Sequence, residues 1–428
     1  MKRRDAVPAA DGGNTQAPAS SSPAISPGRR ELLKWAGVAG AALAFSRFAH
    51  PMRLWAADEP EAEKPWPGKE QLVSRGMRPL NLETPLELLD QDVTPNELHF
   101  VRNHGSMPVL DPDAWSLTID GEVERPLKLG WKELTNEFPV VTERMLIECA
   151  WNGRALFNPA TRGNQWERGG VGCAEWTGVR LKDLLAAAKV TAKGIYTGHQ
   201  GADDSLNPGV APAFSRGIPI DKALEEHTLV AFKMNGKNLP VEHGFPARIV
   251  VPGWAGSASQ KWLTHIELRN KVHDAFFMTG KRYRVPAYPI APGQDIPDSD
   301  YAVVTSWPVK SIITYFGPGK YRADMQFEIR GAAWAGEREV KSVELSFDLG
   351  KSWVPVKELK PRASQYAWYR WRHWYAPPER GYHEIWARAI DEKGDTQPLS
   401  QPWNAGGYMG NVVHKVSFNA ERGSAMGN

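Results

Sequence analysis

A cysteine and an arginine five residues apart close the stretch Met145-Leu-Ile-Glu-Cys149-Ala-Trp-Asn-Gly-Arg154. An apolar run there delivers sulfur to a turn of small and polar residues, as at the end of a strand. A thiolate beside a guanidinium can hold a soft metal next to an oxyanion. Taken alone, the same stretch better describes an ordinary buried thiol, since free cysteine is among the most buried residue types. Other groups able to do chemistry stand in short clusters: Phe100-Val-Arg102-Asn-His104, His243-Gly-Phe-Pro-Ala-Arg248, Ser259-Gln260-Lys261-Trp262 and Arg282-Tyr283-Arg284.

The elements that must position these groups follow from length and pattern. A chain of 428 residues exceeds one ordinary core and implies two domains with extensions. Its 18 tryptophans, 34 prolines and 39 glycines favour loop-rich, β-containing architecture over a helical bundle. Residues 58–84 are charged and Pro-rich and read as an arm on the surface. Across 85–290, strands alternate with few helices, which predicts an α+β domain. Within it, Arg180 to Val190 has helical spacing at Leu181, Leu184, Leu185 and Ala188. Asp120-Gly121 and Asn235-Gly236 are hairpin signals. Prolines and acidic residues gather between Pro286 and Asp300 and mark a boundary. From 291 to 420 the pattern becomes regularly spaced strands without helices, an immunoglobulin-like β-sandwich. A short tail, 421–428, follows.

The first 57 residues read as an address. After an Ala/Ser/Pro-rich start, Arg29-Arg30 precede an apolar run from Trp35 to Phe45, as in a twin-arginine export signal. The run is too short to span a bilayer, so no stable membrane span is expected in the mature chain. This leader holds eight basic side chains against three acidic ones, so the formal charge of +3 becomes −2 without it. A mature chain of that charge is a poor partner for nucleic acid. Export implies a periplasmic protein. Cys149 and Cys173 are the only cysteines. They permit one bridge, but no haem-attachment or iron–sulfur motif.

The clusters above, in that order, with Glu148-Cys-Ala-Trp-Asn-Gly-Arg154, Trp166 with Trp176, and Val251-Pro-Gly, resemble the sulfite oxidase family of molybdopterin enzymes. Ala367-Trp-Tyr-Arg370-Trp and Gln401-Pro-Trp403-Asn404 resemble the family's second domain. The resemblance implies a molybdenum–molybdopterin cofactor with Cys149 as the thiolate ligand of the metal. It assigns Phe100, Arg102, His104, Asp203, His243, Arg248, Ser259, Gln260 and Lys261 to the pterin and its phosphate. It assigns Tyr283, Arg102, Arg154, Arg370 and Trp166 to the pocket for a sulfur oxyanion such as sulfite. Arginine suits such a pocket because its planar donor fork pairs with oxyanion oxygens and keeps its charge. A separate cytochrome c is the implied electron acceptor, and a homodimer or a heteromer with a cytochrome subunit the implied assembly. Sulfane-sulfur oxidation and S-oxide reduction are alternatives on the same scaffold. Trp151 and Gly153 depart from the family's usual glycine and arginine, which points to a larger or less charged substrate than sulfite.

Overall fold

The computed structural model describes residues 65–422. The expected leader and most of the tail, 423–428, lie outside the described residues. The described chain is mainly β. Its α-helices are short, Trp131–Asn136 (α1), Leu181–Ala188 (α2) and Ile220–Ala223 (α3). The few helices expected are there, but so strand-rich a chain does not confirm the α+β label. The spacing of Leu181, Leu184, Leu185 and Ala188 does form a helix, and all four are buried, but the chain returns to extended structure on either side.

Strands β1 (Val73–Met77), β2 (Leu80–Glu83) and β3 (Val101–Arg102) form a three-stranded sheet. Residues 65–84 are therefore not a surface arm. The alternation hidden among their charges places Leu80 and Leu82 in a core with Val101. A second sheet contains β4 (Ser116–Gly121), β5 (Leu127–Gly130), β8 (Tyr196–Gly201), β9 (Ser215–Arg216) and β13 (Leu263–Arg269). Gly121 ends β4, and the hairpin loop falls just after it, at residues 122–126. The third sheet joins β6 (Val140–Glu148), β7 (Val171–Arg180), β10 (Leu229–Met234), β11 (Lys237–Asn238) and β12 (Arg248–Val250). Asn235-Gly236 forms the predicted tight turn, with both residues at positive φ (52° and 75°). Helix α2 and the facing strands of the second and third sheets share one apolar core.

A hairpin of β14 (Arg284–Pro286) and β15 (Tyr301–Val303) spans the Pro-rich stretch read as a boundary. Beyond it two sheets face each other. One holds β16 (Lys310–Phe316), β18 (Phe327–Trp334), β21 (Glu358–Leu359) and β22 (Tyr369–Tyr375). The other holds β17 (Tyr321–Arg322), β19 (Val340–Ser346), β20 (Val354–Pro355), β23 (Gly381–Asp391) and β24 (His414–Glu421). Alternate residues of both, such as Ile329, Trp371, Ile385 and Ala387, interdigitate in a core of their own. None of the described helices is long and apolar enough to cross a membrane.

Candidate active site

The long antiparallel ladder of β6 and β7 runs from Val140–Val179 to Glu148–Val171 and delivers Cys149 to the mouth of a cavity. The cavity, about 670 Å³ including the space where it opens to solvent, is lined by His99, Phe100, Arg102, Asn103, His104, Cys149, Asp203, Phe214, His243, Arg248, Ser259, Gln260, Lys261 and Tyr283, among others. Segments far apart in sequence thus converge on one space. Eleven of the residues singled out from sequence line it: Phe100, Arg102, His104, Cys149, Asp203, His243, Arg248, Ser259, Gln260, Lys261 and Tyr283.

One end of the cavity is a cluster of cations held by the main chain. Arg248 donates to the His243 and Ser259 carbonyls at 3.0 Å each, and its guanidinium lies 5.0 Å from the Trp176 ring centre. Burial lowers its pKa to about 9. Lys261 donates to the Glu242 carbonyl at 2.8 Å and to Asn103 Oδ1. Gly244 (φ 108°) makes this possible: a Cβ there would lie 2.9 Å from that of Lys261. Lys69, which sequence reasoning missed, donates to His243 Nε2 at 2.9 Å and to the His99 carbonyl at 3.1 Å. His99 and His243 are edge-on at 5.2 Å, and burial holds both below the usual imidazole range, His99 at about 3. Asp203 is the acidic member, with burial raising its pKa to about 6.

At the other end lie guanidinium groups on aromatic rings. Arg102 and Arg154 sit 4.3 and 4.0 Å from the Trp151 ring centre, and Arg216 lies 4.8 Å from that of Tyr283. Trp151 is nearly parallel to Tyr283 and Tyr408, at 6.0 and 6.1 Å. Such contacts, worth about 0.5–2 kcal/mol each, help to bury cations without carboxylates. Among the described residues neither Arg102 nor Arg154 pairs with one. Arg154 lies behind Trp151 rather than on the cavity wall, and donates to the Gly406 carbonyl at 2.5 Å. Gly153 (φ 92°) packs against Gly410, where a Cβ would meet the Gly410 carbonyl oxygen at 3.2 Å. The departure from arginine at 153 is therefore a packing requirement of the 404–411 loop. His104 and Tyr283 share a 2.5 Å hydrogen bond, and His104 stacks on Phe214 at 3.8 Å. Tyr283 holds φ at 49°, a conformation that non-glycine residues adopt only under constraint. Burial raises its hydroxyl pKa, so it remains a neutral donor.

Besides Arg154, two more sequence-predicted pocket residues lie off the cavity wall. Trp166 is fully buried behind the wall, edge-on to Phe100 at 6.2 Å. Arg370 on β22 reaches Asp90 Oδ1 at 2.7 Å and the Leu89 carbonyl at 3.1 Å, and joins Arg330 in clamping Asp90. It is a scaffold residue, because its side of the strand faces the segment that carries Asp90 and not the cavity. Sequence reasoning also missed His99, Arg216 and Tyr408. Only Tyr408 had a signal, the adjoining Gly406-Gly407 of a loop that approaches other backbone closely.

The cavity is suited to a large, polar, partly anionic group. Buried polar atoms without partners cluster on it: His99 Nε2, Arg102 Nε and Nη1, Asn103 Nδ2, Asp203 Oδ1, Arg248 Nε and Gln260 Oε1. Unsatisfied buried donors and acceptors are costly, so together they describe a site built for a polar ligand. Cys149, the soft donor, lies between the two ends; burial raises its thiol pKa while Arg102 and then Arg154 pull it down. A pterin–molybdenum group fits: Arg248, Lys261, His243, Gln260 and Asp203 would hold the pterin and its phosphate, and Cys149 the metal. Cys173 is a second free thiol, packed against Leu146 and Trp368 and remote from this role.

Comparisons with known proteins agree. Residues 104–277 match the model of a family described as oxidoreductase molybdopterin binding domain, and 301–421 that of a Mo-co oxidoreductase dimerisation domain. The chain is 31% identical to sulfite oxidase of Gallus gallus over 378 residues, covering 83% of this chain and 80% of that one. It is 34% identical to the mitochondrial sulfite oxidase of Drosophila melanogaster over 388 residues, spanning 83% of this chain and 65% of the fly protein. A nitrate reductase of Ulva prolifera is 29% identical, with 81% and 43% covered. Among solved structures, the sulfane dehydrogenase SoxCD of Paracoccus pantotrophus superimposes with a TM-score of 0.67 at 26% identity, over 93% of this chain and 100% of that one. The chain is a molybdenum-dependent oxidoreductase with a molybdopterin cofactor, and it belongs to the sulfite oxidase family.

Proposed function

We propose that the protein oxidises sulfite to sulfate in the periplasm and passes the electrons to a separate cytochrome c. The observation that carries this reading is Arg102, on the cavity wall near Cys149, with two buried nitrogens unpartnered and, among the described residues, no carboxylate near enough to pair. When bound, the molybdenum cofactor supplies the two-electron acceptor and the exchange of an oxygen atom with water. The chain's own residues bind and orient the anion. Arg102 holds it by a charge-assisted hydrogen bond. Tyr283, fixed by His104, offers a hydroxyl to the oxygen on which charge develops, and Phe214 and Trp151 limit water. The overall change consumes one sulfite and one water and releases sulfate, two protons and two electrons.

A second reading, oxidation of sulfane sulfur, is favoured by Trp151, which puts an indole face where a smaller residue would leave Arg154 open to the cavity. The similarity to a sulfane dehydrogenase supports it. Purified, molybdenum-loaded protein decides between them. Rapid sulfite-dependent reduction of cytochrome c supports the first reading. Loaded protein inert to sulfite but active on a sulfane donor rejects it for the second.

A further inference from the structure

Glu148, immediately before the metal-ligating cysteine, is completely buried, and its carboxylate is saturated by donors. Oε1 accepts from Asn152 Nδ2 at 2.8 Å and pairs with the Lys310 ammonium, while Oε2 accepts from Trp334 Nε1 at 2.6 Å. Asn152 belongs to the turn that carries Cys149 and also binds Gly170 N at 2.9 Å, next to the Gly170 carbonyl that accepts from Cys149 N at 2.8 Å. Lys310 and Trp334 come from β16 and β18 of the sandwich. Lys310 is itself buried, with its ammonium 4.5 Å from the Trp307 ring centre. A buried ion pair is a poor source of stability, because apolar residues of the same volume usually do as well. An apolar pair here would leave the turn unanchored and would take both of these charges away from the sulfur.

We propose that Lys310 and Glu148 are positioning residues for the metal thiolate: the pair fixes the Cys149 turn and sets the local field at the sulfur, which makes the sandwich a working part of the redox centre. In a buried site of low dielectric, charges this close to a metal ligand bias its oxidised and reduced states. Taking away the cation alone favours the oxidised, more positive metal; taking away the carboxylate favours the reduced one.

The test uses molybdenum-loaded Lys310→Met and Glu148→Gln. It needs no sulfur substrate, so it can fail independently of the sulfite reading. Redox titration with a chemical reductant gives the metal's midpoint potential, and paramagnetic resonance gives the spectrum of the half-reduced metal. The expected result is a shift to lower potential in Lys310→Met and to higher potential in Glu148→Gln, each with an altered spectrum. Parent-like potentials and spectra in folded, loaded variants, or shifts of one common sign, overturn the proposal. If Lys310→Met does not accumulate in folded form, the sign of the Glu148→Gln shift decides by the same rule.

Discussion

The two ends of the cavity use the same two supports for buried positive charge, carbonyls and ring faces, in different proportion. At the pterin end Arg248, Lys261 and Lys69 are tied to main-chain carbonyls, and their positions are set before any ligand arrives. At the substrate end Arg102 rests on the face of Trp151 with two nitrogens unpartnered, and Arg154 lies on Trp151 and Tyr408 with the Gly406 carbonyl as its one main-chain acceptor. Carbonyl anchoring suits a group that binds once and stays. Cation–π support suits a ligand that must enter and leave, because a ring face does not compete for the guanidinium's in-plane hydrogen bonds.

The bluntest way to break this comparison is Cys149→Ser, which removes the soft donor shared by both ends. It should abolish turnover while the protein stays folded by circular dichroism; normal sulfite activity would remove Cys149 from the site. Next, Arg102→Met and Lys261→Met should separate the two ends. Arg102→Met is expected to lower kcat/KM for sulfite by about 10²–10³-fold with molybdenum content unchanged, as for loss of one preorganised donor. Lys261→Met should instead lower the molybdenum and pterin content of the purified protein. Equal metal loss in both would erase the distinction. Trp151→Gly, which opens Arg154 to the cavity, should tighten sulfate binding about tenfold by calorimetry, the scale of one added charge-assisted hydrogen bond. Weaker sulfate binding would show that the indole helps to hold the anion.

The smallest effect concerns pH. His99, His199 and His273 are held neutral by burial, at about 3, 3 and 4, well under the unfolded value. The unfolded chain therefore takes up more protons, and the stability these groups contribute is complete above about pH 6.5 and lost as pH falls below it. Asp203, raised to about 6, acts the other way: its neutral form is favoured by the fold, so it offsets part of the acid loss between about 4 and 6. The melting temperature of the cofactor-free protein should fall from pH 7 to pH 5, and fall more steeply in Asp203→Asn.

Much of the site was legible because its residues are close neighbours within short clusters. His243 and Arg248 flank one tight turn, and Arg102 and His104 leave one short strand together. What escaped depends on distant segments meeting. Lys69 is one basic residue in a charged stretch until β1 and β2 fold it beneath His243. Tyr408 gains its place only when the 404–411 loop crosses to Ala150, with Met409 N on the Ala150 carbonyl at 2.9 Å. Arg370 was misread for the same reason, since nothing local in a Trp/Tyr/His strand says that its partner is Asp90. Helix α2 was legible from its own spacing, whereas α1 and α3, of six and four residues, are too short to show a helical period.

Lys69 has a practical side. Trimming the chain to begin at residue 85, by protease or by design, would keep every cluster that resembles the family. It would nonetheless remove the ammonium under His243 and, with β1 and β2, the apolar packing over Val101. Such a shortened protein should come through purification poor in cofactor, even with all its family motifs intact.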